Sequence, residues 1–89
     1  MAEFTTSDGV TIFYTTEGNG SPVLFVHEFG GDYRSWYRQV AALKSTHRCI
    51  TYSARGFWPS DIPDDKNYYG QSHSSNDLLA LIGLIIRYI

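Results

Sequence analysis

An α/β fold is predicted by three features of the sequence. Val10 to Tyr14 alternates as a strand does, Val23-Leu24-Phe25-Val26 is a short unbroken apolar run, and Trp36, Val40 and Leu43 recur at helical spacing. With the other segments they give the order β-β-turn-β-α-β-α, the succession that builds helices onto a sheet. There is no internal repeat, linker or low-complexity tract.

In the first segment Val10, Ile12 and Tyr14 alternate with Thr11 and Phe13, all good strand formers. Gly18-Asn19-Gly20-Ser21-Pro22 then breaks the chain in a turn. The run Val23 to Val26 reads as a strand buried on both faces, as in a parallel sheet. Gly30-Gly31 makes a permissive loop, and a helix is expected from about Ser35 to Leu43. Cys49-Ile50-Thr51-Tyr52 is a further short strand. Ala54 to Asn67 is a long loop marked by Gly56, Pro59 and Pro63. Ser74 or Ser75 is expected to cap a final helix, with Asp77 favourably placed in its first turn. Leu78, Leu79, Leu81, Ile82, Leu84, Ile85 and Ile86 make that helix apolar nearly all round, so it calls for burial on more than one side.

The 89 residues amount to about 0.6 of an ordinary domain, so the chain is one domain or part of one. A 43% hydrophobic, 16% aromatic composition excludes a disordered chain. The net charge of −2, with both signs scattered, leaves no basic stripe for phosphates and argues against nucleic acid as a partner. The single cysteine, Cys49, can form neither an internal disulfide nor a thiolate metal cage. The acidic, polar opening Met1 to Asp8 is unlike a signal peptide, and the longest apolar run, Leu78 to Ile86, is about half of what a bilayer needs. A cytoplasmic protein with no membrane partner is the expectation.

Several residues invite a chemical reading. His27-Glu28 begins a zinc-protease pattern, but its second histidine would fall at Gly31, and two glycines make a poor helix. Gly18-x-Gly20 is half a dinucleotide fingerprint, yet it precedes a strand where it should open a helix. Gly70-Gln71-Ser72-His73-Ser74 has the small residues of a nucleophile elbow, but the upstream Asp64 to Tyr69 is loop and not the buried strand an elbow needs. Ser72 therefore reads as a solvated helix start, and the adjacent His73 diverges from it. Cys49 reads as a buried, inert thiol. Asp61, Asp64 and Asp65 lie in a Pro-containing loop with no positioned base.

Val23-Leu24-Phe25-Val26-His27-Glu28-Phe29-Gly30-Gly31 resembles the third strand and oxyanion loop of the α/β-hydrolase fold family, in which a buried strand runs into His-Gly-Phe-Gly-Gly. Asp8 to Tyr14 looks like that family's opening hairpin, and Ser35 to Leu43 like its first helix. Tyr52-Ser53-Ala54-Arg55-Gly56-Phe57-Trp58-Pro59-Ser60-Asp61 is similar to its D-x-R-G-x-G-x-S-D loop. Asp77 to Ile82 resembles the helix before the nucleophile strand. The resemblance implies the N-terminal portion of an α/β-hydrolase sheet: an antiparallel hairpin, then strand-helix-strand-helix, with strands ordered 1-2-4-3.

By this resemblance the backbone N–H of Phe29 is one of two oxyanion-hole donors. His27, Glu28, Gly30, Gly31, Arg55, Gly56 and Asp61 support the loops: His27 holds the strand end and is not the catalytic base, Arg55 braces the loop after the fourth strand, and Gly56 permits its tight turn. Two residues depart from the pattern. Glu28 replaces a glycine and would oppose an oxyanion unless its carboxylate points away, and Ser53 stands where aspartate is common. The nucleophile, acid and base of the family follow in that order beyond the helix at which this sequence stops. Residues 1–89 are thus expected to be a truncated portion of a serine-type, esterase-like hydrolase, inactive alone and needing no cofactor or metal. It would meet a small ester-like substrate only when completed. The alternative is a non-catalytic interaction module that binds a partner chain through its free sheet edge and helix. An unpaired edge also predicts self-association.

Overall fold

The computed structural model describes residues 2–87. Four strands, β1 (Ala2–Thr5), β2 (Thr11–Glu17), β3 (Ser21–Phe25) and β4 (His47–Tyr52), form one sheet in the order β1-β2-β4-β3. The first two pairings are antiparallel, with Ala2 opposite Tyr14 and Tyr14 opposite Tyr52. β3 runs parallel to β4, with Leu24 opposite Ile50. Parallel neighbours need a crossover, and helix α1 (Tyr37–Leu43) supplies it. A single turn of 3₁₀ helix (Lys66–Tyr68) precedes the long helix α2 (Gln71–Arg87).

Strand alternation divides the side chains between the two faces. Ile12 of β2, Ile50 and Tyr52 of β4 and Val10 before β2 gather with Leu81 and Ile85 of α2 into the buried core, flanked by Phe4, Tyr14, Leu24 and Leu78. On the opposite face Phe13 meets the Tyr33 ring edge-on at 4.8 Å, and the Thr15 and Thr51 hydroxyls bond at 2.6 Å. Val40 of α1 is buried, and its helix packs on β4. β2 and β4 are covered on both sides, which is why Ile50 and Cys49 are both buried although they point in opposite directions.

Four sequence-based expectations change. The opening hairpin uses Ala2–Thr5 as its first strand, in a stretch that reads as merely polar, because Phe4 alone is inward-facing there. β3 is an edge strand whose residues are at best half-buried, since only β4 pairs with it. Helix α2 begins at Gln71, so Ser74 and Ser75 lie inside it and Asp77 lies beyond its first turn. Finally, α2 buries one face only: Leu81 is fully inaccessible, while Leu79 and Ile86 are exposed. No helix of the described residues is long and apolar enough to cross a membrane.

Asp77 is drawn into the interior by Arg55, which makes five side-chain hydrogen bonds. The Arg55 guanidinium, 4% exposed, donates from Nε and Nη2 to the two Asp77 carboxylate oxygens at 2.7 Å each. Nη1 and Nη2 donate to Asp8 at 2.8 and 3.0 Å, and Nη1 also donates to the Tyr68 carbonyl at 2.7 Å. All five guanidinium N–H groups are thereby used, in the forked geometry that arginine alone provides. The β1–β2 turn, the end of β4, the 3₁₀ turn and α2 are tied at one point.

Replacing Arg55 with alanine would leave Asp77 as a buried unpaired charge, and the expected loss is about 3–5 kcal/mol of unfolding free energy by urea titration. Arg55→Lys should recover only part of it, because an ammonium cannot fork to two carboxylates. The same ion pairs set the acid limit of stability. Arg55 holds the Asp8 carboxyl well below the usual carboxylate range, so the folded chain binds fewer protons than the unfolded one. Stability from Asp8 is therefore complete above about pH 4 and is lost as pH falls below it toward the depressed value. Asp8→Asn should flatten that part of the pH–stability curve.

Candidate active-site half

β3 and β4 are parallel and end at the same edge of the sheet, where open α/β sheets place their ligands. Two loops leave this edge: residues 26–36 after β3 and residues 53–61 after β4. His27 joins them. Its Nε2 accepts from the Ala54 N–H at 3.0 Å, and its Nδ1 lies 2.8 Å from the Glu28 carbonyl, which fixes Nδ1 as the protonated nitrogen. With both nitrogens engaged by backbone, the ring is free neither to ligate a metal nor to act as a base. Phe57 packs edge-on against the imidazole at 5.1 Å.

Glu28 to Gly31 is a tight turn closed by the Gly31 N–H donating to the Glu28 carbonyl at 3.0 Å. Gly30 sits at φ +88°, in the left-handed region that suits glycine. A turn closed in this way does not use the amide of its second residue, Phe29, in its closing bond. The Phe29 side chain is 97% exposed and meets the Phe57 ring edge-on at 5.9 Å. Further along the loop, Trp36 Nε1 donates to the Val26 carbonyl at 3.1 Å, which closes the loop at its base. The Glu28 carboxylate folds back toward Gly31 and accepts from the Ser35 hydroxyl at 3.3 Å.

The second loop is held by buried hydroxyls. Ser53 Oγ accepts from the Tyr33 N–H at 3.0 Å and donates to the Trp58 carbonyl at 2.9 Å, coupling the two loops again. Ser60 Oγ donates to the Ser53 carbonyl at 2.6 Å and accepts from the Phe13 N–H of β2 at 2.8 Å. Asp61 accepts from the Thr11 N–H through Oδ2 at 2.8 Å, and its own N–H donates to the Thr11 carbonyl. The Gly56 N–H donates to the Asp61 carbonyl at 2.9 Å, and Gly56 has φ +88°. Asp32 and Arg34 make a surface fork at 2.7 Å, which holds the Asp32 carboxyl below its ordinary range and lays Arg34 over the Trp58 ring.

The structure thus brings Phe29, His27, Glu28, Gly30 and Gly31 together at the strand ends. Arg55, Gly56 and Asp61 stand behind them, within or beneath the second loop. Sequence reasoning missed the Ser53–Ser60 relay and the carboxylates Asp8 and Asp77. The only signal for the relay was two small hydroxyls bracketing the Gly56–Pro59 loop. Ser72 lies exposed in the first turn of α2, while His73 Nε2 bonds to the Asn67 carbonyl, so the two do not form a nucleophile and base. Cys49 is buried, which pushes its thiol pKa up and keeps it protonated. A cleft of about 350 Å³ lined by Thr15, Tyr37 and Val40, and another of about 430 Å³ lined by Phe13, Tyr33 and Trp58, do not include Phe29. The arrangement is a tight glycine-containing turn on a braced loop at the ends of two parallel strands. Neither Ser72, in α2, nor Cys49, in β4, belongs to this loop.

Comparison with known proteins gives the same architecture. The chain is 34% identical over 77 residues to an epoxide hydrolase of Caballeronia sordidicola, covering 85% of this chain and 23% of that one. It is 40% identical over 81 residues to a cis-3-alkyl-4-alkyloxetan-2-one decarboxylase of Shewanella oneidensis, covering 89% of this chain and 25% of the relative. A solved epoxide hydrolase mutant of Vigna radiata superposes with a TM-score of 0.87 at 30% identity, over 94% of this chain and 26% of that one. The chain therefore spans about a quarter of the length of these relatives. No protein-family model matches it.

Ser53→Ala would leave the Tyr33 N–H and the Trp58 carbonyl without their buried partner, and because both bonds are only part-buried a total loss of about 1–3 kcal/mol is expected by urea titration. His27→Ala should raise the exchange rate of the Ala54 amide while leaving that of Ile50 in the strand unchanged, as read by hydrogen-exchange NMR.

Proposed function

Since the chain belongs to the α/β-hydrolase fold family as an N-terminal portion of it, we propose that it supplies the oxyanion half of a serine-type hydrolase site that, when completed, acts on a small ester-like substrate. The observation that carries this reading is the Gly30-centred turn at the C-terminal end of a parallel strand, closed by the Gly31 N–H and not by that of Phe29. An N–H in that position stabilises negative charge on oxygen as a tetrahedral intermediate forms. Loss of one such donor typically costs about 10²–10³ in rate. Opening a strained cyclic ether also develops charge on oxygen, which is consistent with the names of the epoxide hydrolase relatives.

His27 supports the loop and holds it through Ala54; Arg55, Gly56 and Asp61 keep the second loop in place beneath it. The chain, residues 1–89, is read as ending before the nucleophile elbow. Without a nucleophile, acid and base it runs no acyl-enzyme cycle by itself. The reaction needs no cofactor, and the setting is cytoplasmic. A second reading, an interaction module, is favoured by the free edge of β3 together with exposed Val26, Leu79 and Ile86. The same features make the isolated chain prone to self-association.

Reading the encoding DNA past the Ile89 codon tests the first proposal: an apolar strand and G-x-S-x-G are expected within about twenty codons, in frame or across one frameshift or stop. Nothing hydrolase-like there would favour the interaction module. The 89-residue chain should hydrolyse p-nitrophenyl acetate no faster than buffer, and it should sediment as more than a monomer at micromolar concentration. Turnover abolished by Ser72→Ala would overturn the assignment of the chemistry to residues beyond the chain.

A further inference from the structure

Glu28 stands beside the amide proposed to receive an oxyanion, where a carboxylate would repel the charge it stabilises. Its carboxylate is engaged elsewhere on the loop. The carboxylate folds away along the loop and accepts from the Ser35 hydroxyl at 3.3 Å, while Ser35 Oγ in turn accepts from the Asp32 N–H at 3.2 Å. The place it occupies is the space above Gly31: a Cβ added there would collide with Glu28 Oε1 and Ser35 Oγ. Gly31 is not in the left-handed region, so its lack of a side chain serves this space and not the backbone angle. Glu28, Gly31 and Ser35 therefore form a matched set.

We propose that Glu28 is a positioning residue: its carboxylate, latched to Ser35 over the bare Cα of Gly31, is kept off the Phe29 amide and stiffens the turn that aims it. The proposal rests on the reading of Phe29 N–H as the oxyanion donor only for its purpose. The latch itself stands on the Glu28–Ser35–Gly31 geometry. Glutamine at 28 can still accept from Ser35 but carries no charge, whereas alanine at 28 or 35 breaks the latch. Alanine at 31 leaves the backbone allowed and evicts the carboxylate toward solvent and the Phe29 amide.

Hydrogen-exchange NMR on the ¹⁵N-labelled chain tests it, with the Ile50 amide as the control for global unfolding. Gly31 N–H exchange, which reports closure of the turn, should rise about three- to tenfold in Glu28→Ala and Ser35→Ala and stay within about twofold of the parent in Glu28→Gln, the size expected for one net hydrogen bond. Unchanged Gly31 exchange in both Ser35→Ala and Glu28→Ala would overturn the latch. A second arm titrates acetate as the anion probe and follows the Phe29 amide shift. The apparent acetate affinity should be weakened in Gly31→Ala relative to the parent and restored in the Glu28→Gln/Gly31→Ala double variant. An equal response in Gly31→Ala and the parent would overturn the claim that the latch shields the amide. Acetate moving the Phe29 resonance in no variant would instead count against the oxyanion reading, leaving the latch to the exchange data.

Discussion

The Arg55 guanidinium is the interaction on which the rest of this structure depends. A buried arginine is tolerable only when every N–H finds an acceptor, and here two carboxylates and a carbonyl provide all five. Those acceptors come from the β1–β2 turn, the 3₁₀ turn and α2, so satisfying one side chain fixes four segments relative to one another. A small chain with one modest core gains specificity from such a node: any other docking of α2 would strand Asp77 without its partner. The node also sits one residue beyond Ala54, whose amide holds His27, so the packing of the helix and the posture of the loop after β3 share a support.

The parallel pair β3–β4 explains why the candidate site lies where it does. Two strands running the same way deliver their exit loops to one edge, and backbone amides at strand ends are not consumed by the ladder. The loop after β3 is then closed at its base by Trp36 and Val26, and pinned to its neighbour by His27 and by Ser53. What results is a pair of loops cross-linked by side-chain hydrogen bonds at one edge of the sheet. On the other side of β3 the sheet is unpaired, and Leu79 and Ile86 of α2 face solvent. The chain spans about a quarter of its relatives' length.

Much of the fold was legible in the residues, because periodicity is a property of neighbours in sequence. Val10 to Tyr14, Val23 to Val26, Cys49 to Tyr52 and the apolar helix all carry their period openly, and each has a counterpart in the structure. β1 did not show itself: a strand held by pairing with β2, with one inward residue, has little pattern of its own. The start of α2 was misplaced for a related reason. Ser74, Ser75 and Asp77 are in the order of an N-terminal cap, but Asp77 is claimed by Arg55, twenty-two residues away, and a bond across that separation leaves no local trace.

The sequence by itself determined the elements, their order and, through the linked motifs around His27 and Arg55, the family whose fold they build. Those features are local, set by side-chain period and by the short-range chemistry of glycine and proline. Only the tertiary structure decided that Arg55 is shared between Asp8 and Asp77, that Ser53 and Ser60 form a relay, and that the Glu28 carboxylate is turned onto Ser35. Each of these is a choice of partner made by proximity after the chain has folded, and the same residues at the same spacing in an open chain would find water in its place.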